Sequence, residues 1–350
     1  MPSFTQTLLA GLLAIGVMAV PNANSALRSP PATGSDSVPE ELIAAYQYFT
    51  AAEAESSSLG RRGERSVDLY LHVIQHPTNR ENDPSNETLA EQVKVLNDAF
   101  LDSHFQFILQ NISRTVNEVW YSAESIYNKY DMRRSLRQGG KDALNLFIFE
   151  LLQPAKEVLL ENSSQTCFLD PNGTETCNPV QTTLTHKTIP GVDDLGSCRF
   201  PGKWLDDPYQ LPLDGCDIDL RALPGGSFTR NNQGNIAVHE TGHWLGLTHP
   251  FPDHRPFPDE AWRDDEEYPK ICDPGVSNLV VDTPVCYLDW NLLGPEGCPE
   301  NDIDTCPNHW GKDPIHNYMH YTSDKCLTEF TPGQAVRMHQ MYNYFRSTGN

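Results

Sequence analysis

The eleven residues from 239 to 249 constrain the fold of this chain more than any other segment. Their sequence is His-Glu-Thr-Gly-His-Trp-Leu-Gly-Leu-Thr-His, so His239 and His243 are four positions apart. On an α-helix this spacing places both imidazoles on one face, one turn apart. Gly246 then allows the chain to leave the helix, because glycine adopts left-handed backbone angles at little cost. His249 can therefore return as a third ligand beside the helical pair.

Three neutral imidazoles with an open fourth position are the ligand set of a catalytic zinc site, since structural zinc sites are usually closed by four protein ligands. Glu240 lies beside the histidines, where its carboxylate can reach a water on the shared metal. Zinc would lower the pKa of that water, and Glu240 would accept the proton as the water attacks a peptide carbonyl. A bare His-Glu-x-x-His is often only a helix with two surface histidines, but the added Gly246 and His249 make a chance match rare.

The acidic composition limits the classes of partner. The 350 residues include 47 acidic and 25 basic side chains, which gives a formal net charge of −22. Nucleic-acid binding is disfavoured, because nothing would offset the repulsion of the phosphates. The excess of acid favours solubility in an acidic or saline exterior, and calcium binding or a preference for basic substrates is the alternative.

The N-terminal sequence predicts export from the cell. Residues 8–20 are 13 uninterrupted apolar residues, too few to span a bilayer but typical of a signal-peptide core. Small residues follow, so we expect cleavage between residues 23 and 26 and assign residues 1–25 to a signal peptide. No Lys or Arg precedes the apolar run, so the α-amino group must supply the positive end. No second apolar run is long enough to span a membrane, and we expect a secreted protein without a membrane anchor.

Residues 26–65 are interpreted as a linker or a short pro-segment. Residues 39–56 are rich in alanine and glutamate and predict a short helix, and a dibasic Arg61-Arg62 pair follows in a polar loop. Two interpretations stay open for this pair, a processing site or ordinary surface arginines. No cysteine precedes Cys167, so no thiolate of this segment could silence the zinc.

The nine cysteines, all from Cys167 onward, predict disulfides in a secreted chain, and their odd number leaves at least one free or intermolecular. Four Asn-x-Ser/Thr sequons are also present, and we expect some of them to be glycosylated. The sequons lie at Asn86, Asn111, Asn162 and Asn172.

Patterns of strand and helix alternate along the first part of the chain. Residues 67–74 alternate and are rich in β-formers, which predicts a strand, and residues 88–101 show a helical spacing of apolar side chains. Residues 105–112 and 143–149 predict a second and a third strand. This β-α-β order predicts an α/β upper domain whose sheet backs the zinc helix, for which Asn235 is a plausible N-cap.

The second half contains fewer regular elements. Residues 151–194 are polar and have the character of an insertion, and residues 217–220 predict a further strand. From His249 to Thr328 the chain is rich in loops, Pro, Asp and Cys, which suits a small lower part stapled by disulfides. Residues 332–345 predict a closing helix.

These motifs together resemble the metzincin zinc endopeptidases, which also need a methionine turn beneath the metal. Asn317-Tyr318-Met319-His320-Tyr321 resembles the turn of the pappalysin-like branch, especially its secreted fungal extracellular metalloproteases. The resemblance covers about residues 66–346. Other matching segments are Arg114-Thr115-Val116-Asn117, Trp120-Tyr121, Leu223-Pro224-Gly225-Gly226-Ser227, Val281-Asp282-Thr283-Pro284 and Phe330-Thr331-Pro332-Gly333-Gln334.

The resemblance implies an α+β metzincin-like protease of two subdomains. The upper one, residues 66–249 with an insertion near 151–194, would hold a mixed sheet and the active-site helix; the loop-rich, disulfide-stapled lower one, residues 250–350, would hold the methionine turn. The implied activity is that of a secreted zinc-dependent metalloendopeptidase that acts on proteins or peptides as a monomer. Two alternatives are a catalytically silent extracellular binding protein on this scaffold and a zinc hydrolase of non-peptide amides or esters. Intact Glu240 and all three histidines argue against the silent scaffold.

The resemblance also implies roles for single residues. Met319 would be a sulfur platform under the zinc, and the phenol of Tyr321 would hydrogen-bond the developing oxyanion. His320 departs from the usual acidic or small residue of the family, and a rival zinc ligand is the alternative interpretation. Asp282 and Thr283 are the best positions for a possible Ca²⁺, with a solvated acidic loop as the alternative.

Cysteine pairing is implied in the same way. The resemblance pairs Cys272 with Cys306 and Cys298 with Cys326. Weaker local hypotheses pair Cys198 with Cys216 and Cys167 with Cys177, which would leave Cys286 as the odd thiol.

Overall fold

The computed structural model describes most of the chain between residues 38 and 348. The predicted signal peptide and the Arg61-Arg62 pair lie outside the described residues. The described residues are 38–55, 63–122, 126–151, 156–164, 167–169, 175–177, 181–189, 195–252, 272, 279–289, 292–293, 297–299 and 302–348.

Six helices and nine strands form the described part. The helices are α1 (Glu40–Glu55), α2 (Asn86–Ala99), α3 (Glu118–Ser122), α4 (Ile126–Leu136), α5 (Asn235–Trp244) and α6 (Pro332–Met341). The strands are β1 (Arg65–Gln75), β2 (Phe105–Val116), β3 (Leu144–Phe149), β4 (Lys156–Ser164), β5 (Cys167–Leu169), β6 (Glu175–Cys177), β7 (Gln181–Ile189), β8 (Gly196–Cys198) and β9 (Cys216–Asp219).

A five-stranded mixed sheet is the centre of the fold, with the strand order β2-β1-β3-β9-β8. The first four strands are parallel, and β8 runs antiparallel to β9 at one edge. All six residues of β3 are buried, as expected for a central parallel strand covered on both faces. The predicted strands at 67–74, 105–112, 143–149 and 217–220 are confirmed, with shifts of a few residues at their ends.

Helix α2 confirms the helix predicted at 88–101 and begins two residues earlier. Ser85 precedes it as the N-cap, and its hydroxyl accepts a hydrogen bond from the backbone N–H of Thr88 at 3.1 Å. Leu89 and Leu96 on its buried face join the apolar core that also contains β1 and β3. The helix therefore packs between the sheet and α5.

The start of α5 differs from the prediction. Gly234, with φ of 90°, is the N-cap, and Asn235 is the first helical residue. The carboxylate of Asp324 supplies the cap from a distant segment, accepting the backbone N–H of Gln233 at 2.7 Å and of Asn235 at 3.4 Å. Asn235 was therefore wrongly predicted as the cap, because an acceptor 89 positions away satisfies the helix start instead.

The segment predicted to be an insertion, residues 151–194, contains two antiparallel strand pairs, β4 with β7 and β5 with β6. Cys167 and Cys177 are opposite one another in the register of the second pair, and their side chains lie outside what the structure describes. The closing helix predicted at 332–345 is α6, which ends at Met341 and continues as a π-helical turn, Tyr342–Arg346.

Helix α1 confirms the helix predicted at 39–56 and packs against the end of the chain. Leu42 and Tyr46 are buried in a second apolar cluster with Phe200, Met341 and Phe345. None of the helices in the described part is both long enough and apolar enough to cross a membrane.

Candidate metal centre

The imidazoles of His239, His243 and His249 converge on one point. Their Nε2 atoms form a triangle with sides of 3.1, 3.1 and 3.2 Å. All three side chains are buried. Their ligand atoms all lie within 4.8 Å of one another, which is close enough to hold one metal ion.

Backbone carbonyls orient two of the rings. The Nδ1 of His239 lies 2.7 Å from the carbonyl oxygen of Tyr318, and the Nδ1 of His243 lies 2.7 Å from that of Leu247. Each Nδ1 must donate its proton to a carbonyl, which leaves the lone pair of each Nε2 directed into the triangle. Burial, with a smaller contribution from the charge of His249, lowers the pKa of His239 to about 3, although the bond to Tyr318 opposes this. Neutral imidazoles whose lone pairs face each other are a fitting donor set for a cation.

Gly246 makes the return of His249 possible. Its φ of 90° ends the helix, and its N–H donates to the carbonyl of His243 at 2.8 Å. A Cβ at this position would lie 2.8 Å from Cβ of Met341 on α6, so glycine is needed for space as well as for backbone angle. The ring of His249 stacks on Phe251, with centroids 4.8 Å apart.

Glu240 is fully buried on α5, beside His239. Its side chain packs against Gly196 of the edge strand β8, where a Cβ would lie 2.7 Å from Cγ and 2.8 Å from Oε1 of Glu240. Gly196 therefore provides the space that the carboxylate occupies. The sequence contains no local signal for this contact, because the two residues are far apart in the chain.

The methionine turn passes directly beneath α5. Met319 is fully buried, and its Sδ would lie 2.5 Å from a Cβ built on Gly242, which is in the helix between His239 and His243. The turn is held by Asn317, whose Oδ1 accepts the N–H of Met319 at 3.0 Å and whose amide exchanges two hydrogen bonds with Gln334 on α6. The turn therefore contacts both α5 and α6.

The side chains of His320 and Tyr321, which follow Met319 in the chain, lie in different surroundings. The ring of Tyr321 lies at the site, 4.8 Å from the ring of His249 and 5.6 Å from that of His239, and is half-buried. His320 is buried against Phe251, and burial lowers its pKa to about 3. The group of converging ligands does not include His320.

Asp282 and Thr283, the candidate calcium positions, lie at the start of α6. The carboxylate of Asp282 accepts the hydroxyl of Thr331 and the N–H of Gly333, both at 2.7 Å. The hydroxyl of Thr283 is 3.1 Å from that of Thr331. Asp282 therefore reinforces the N-terminus of α6, and calcium binding here stays a prediction.

Three disulfides join the described cysteines: Cys198–Cys216, Cys272–Cys306 and Cys298–Cys326. These are the pairs that the resemblance and local spacing suggested. Cys286 is a buried free thiol, and its burial raises its pKa. The bond at Cys326 fastens the segment that also contains Asp324, the cap of α5.

A buried ion pair between Asp214 and Arg346 lies at the C-terminal end of α5, and the sequence patterns did not predict it. Asp214 accepts two hydrogen bonds from Arg346, at 2.9 and 3.1 Å, and one from the indole N–H of Trp244 at 3.2 Å. The guanidinium of Arg346 lies 3.7 Å from the Trp244 ring centroid and donates to the Trp244 carbonyl. This cluster connects the residue after His243 to the end of the chain.

Known proteins resemble this chain over most of its length. No protein-family model matches it. An "Extracellular metalloprotease" of Pyricularia oryzae is 33% identical over 321 residues, covering 90% of this chain and 89% of the relative. "Extracellular metalloprotease 1" of Coccidioides posadasii is 29% identical, with 96% of each protein covered.

A solved structure shares the fold. The structure of a point mutant of promirolysin from Tannerella forsythia aligns with a TM-score of 0.56 at 20% sequence identity, covering 86% of this chain and 87% of the other. The likeness confirms the expected fold class, an α+β metzincin-like arrangement with a mixed sheet, an active-site helix and a loop-rich part with disulfides.

Proposed function

Since this chain belongs to the extracellular metalloprotease family, we propose that it is a secreted, zinc-dependent metalloendopeptidase of the pappalysin-like branch. Its substrates would be proteins or peptides. It would act as a monomer with an upper subdomain at residues 66–249 and a lower one at 250–350. His239, His243 and His249 would hold the metal, Glu240 would be the general base, and Tyr321 would assist at the carbonyl oxygen.

The observation that carries this proposal is the triangle of Nε2 atoms. Tetrahedral zinc with nitrogen ligands at about 2.0 to 2.1 Å separates neighbouring nitrogens by about 3.3 to 3.4 Å. The observed sides of 3.1 to 3.2 Å are close to this value. Three ligands from the protein would leave one tetrahedral position for the reacting water, which favours a catalytic over a structural metal.

When bound, zinc would supply Lewis-acid chemistry, lowering the pKa of a coordinated water and polarising the scissile carbonyl. The carboxylate of Glu240 would accept the proton of the attacking water and return it to the amine nitrogen as the C–N bond breaks. The phenol of Tyr321 would donate to the carbonyl oxygen, whose negative charge grows as the tetrahedral carbon forms. The carbonyls of Tyr318 and Leu247 hold the rings of His239 and His243 in the required tautomer.

The decisive experiment replaces Glu240 by Gln, which keeps the shape and removes the base. We expect zinc content to be retained, and turnover of a denatured protein substrate to fall by roughly two or more orders of magnitude. Glu91→Gln is the matched control, because Glu91 is an exposed carboxylate on α2, and its activity should not change. An active Glu240→Gln enzyme would show that another group moves the proton.

Metal dependence is tested separately. Purified wild-type protein should contain one zinc per chain and lose activity with a zinc chelator, and added zinc should restore it. His249→Ala should lose both zinc and activity. Full zinc content in His249→Ala would contradict the proposed metal site. A wild-type protein that binds zinc but cleaves no peptide would instead favour a catalytically silent binding protein or a hydrolase of non-peptide amides.

A further inference from the structure

The outer edge of the sheet at β2 is unusually long. Strand β2 has 12 residues, Phe105–Val116, and pairs with β1 on one side only. In the described part of the chain, no further strand pairs with its other side. An open edge of this kind presents backbone N–H and C=O groups that can pair with another chain.

The first part of this edge is closed by a side chain. Asn97 of α2 accepts the N–H of Phe107 at 2.8 Å and donates to its carbonyl at 3.1 Å, as a neighbouring strand would. The remainder, residues 108–116, has exposed apolar side chains. Ile108 and Leu109 are each 37% exposed and Val116 is 52% exposed. Apolar side chains along an open edge make edge-to-edge association more favourable.

A sequon lies in the middle of this open part. Asn111-Ile112-Ser113 matches the N-glycosylation motif, and the side chain of Asn111 is exposed. The strand has a register shift here, since Leu69 pairs with Leu109 but Tyr70 pairs with Asn111. Gln110 is the extra residue of this bulge, and its amide donates to Asp68 at 2.8 Å, back toward β1.

We propose that Asn111 carries an N-linked oligosaccharide that shields the open edge of β2. The glycan is bulky and hydrophilic, and at this position it would prevent a second chain from pairing with residues 108–116. It would also cover the exposed Ile108, which the register places on the same face of the sheet as Asn111. The inference rests on the proposed secretion, because the modification requires entry into the secretory pathway.

The modification is a group transfer from a polyprenyl-pyrophosphate-linked oligosaccharide by the transferase of the host. A bond forms between Nδ2 of Asn111 and the anomeric carbon of the first sugar. The bond from that carbon to the pyrophosphate oxygen breaks, and the polyprenyl pyrophosphate leaves with the electron pair. The proton lost from Nδ2 goes to a base of the transferase, and no oxidation or reduction takes place.

Site occupancy is measured first, on full-length protein secreted by a eukaryotic host. Enzymatic release of glycans in heavy-oxygen water, followed by peptide mass spectrometry, should mark Asn111. Asn111→Gln should lose one glycan by intact mass, whereas Ser113→Thr, which keeps the sequon and the hydroxyl, should keep it. A bare Asn111 in a protein that is glycosylated at Asn86 would overturn the proposal and leave secretion intact. A retained N-terminal apolar segment with every sequon bare would instead overturn secretion.

The shielding role has its own measurement. Asn111→Gln, and folded wild-type protein after enzymatic deglycosylation, should shift from monomer to dimer or larger species in sedimentation at concentrations where the glycosylated protein stays monomeric. Adding Leu109→Lys to Asn111→Gln places a charge on the edge and should restore the monomer. Proteolytic turnover should remain unchanged throughout, because β2 is at the far side of the sheet from β8 and Glu240. Monomeric deglycosylated protein would overturn the shielding role.

Discussion

Gly242 offers a sharp test of how the methionine turn supports the metal helix. An ideal Cβ at Gly242 would lie 2.5 Å from Sδ and 3.4 Å from Cε of Met319. Because non-bonded carbon contacts are optimal at about 3.5 to 4.0 Å, Met319 would have to retreat by about 1 Å or more. Overpacking of this kind costs about 1 to 3 kcal/mol, whereas Ala in place of Gly inside a helix gains about 1 kcal/mol. Gly242→Ala should therefore destabilise the protein by about 0 to 2 kcal/mol.

The sign should reverse when the sulfur is absent. In a Met319→Ala background, Gly242→Ala has no sulfur to displace, so it should stabilise the protein by up to about 1 kcal/mol. The coupling energy between the two substitutions is then about 1 to 3 kcal/mol. Urea unfolding of the four zinc-free proteins measures it, and competition with a chelator measures zinc affinity in parallel, which Gly242→Ala alone should weaken. Equal effects of Gly242→Ala in both backgrounds would refute the contact as the cause.

The remaining predictions concern the carbonyl oxygen, acid stability and the free thiol. Tyr321→Phe should keep zinc and lose roughly one to three orders of magnitude in kcat, with a smaller rise in KM; unchanged kcat would assign Tyr321 to packing. Burial alone would raise the pKa of Asp214, but the charge and hydrogen bonds of Arg346 outweigh it and lower the pKa below 3.8. The resulting stability is complete above the unfolded pKa and is lost as pH falls through the folded value, so Asp214→Asn should flatten the acid dependence of unfolding free energy below about pH 4. Cys286 should resist thiol reagents until the protein unfolds, because burial raises its pKa.

Local spacing was enough to predict the part of the site that lies within one short segment. His239 and His243 are on one helix, Gly246 has the left-handed angle that the turn requires, and His249 returns beside them. Helix α2 was also predictable, because burial of one face imposes a period on the sequence. Strand β3, which is buried on both faces, was predictable as a short apolar run. The resemblance was needed for Met319, since an isolated methionine gives no local signal of its contact with Gly242.

Contacts between distant segments could not be predicted in this way. Asp324 caps α5 although Asn235 has the local chemistry of a cap, because tertiary structure brings a better acceptor to the helix start. No local sequence pattern identifies Gly196 as important, because its role is to leave space for the side chain of Glu240, which is distant in the sequence. The pairing of Asp214 with Arg346 joins residues 132 positions apart, and no periodic pattern encodes it.

Residues of α6 and of the π-helical turn after it contact α5 or its surroundings at three places, so the geometry of the site depends on residues far from it. Gln334 of α6 fixes the methionine turn through Asn317, below the helix. Met341 packs against Gly246, just after the end of α5. Arg346 donates hydrogen bonds to the carbonyl of Trp244, the last residue of α5, and to the carboxylate of Asp214. Because His239, His243 and His249 must meet within a few tenths of an ångström to bind one ion, small shifts of α5 are costly to the site. Helix α6 and the π-helical turn that follows it therefore help to set the geometry of the candidate metal centre, although the three converging imidazoles come from other residues.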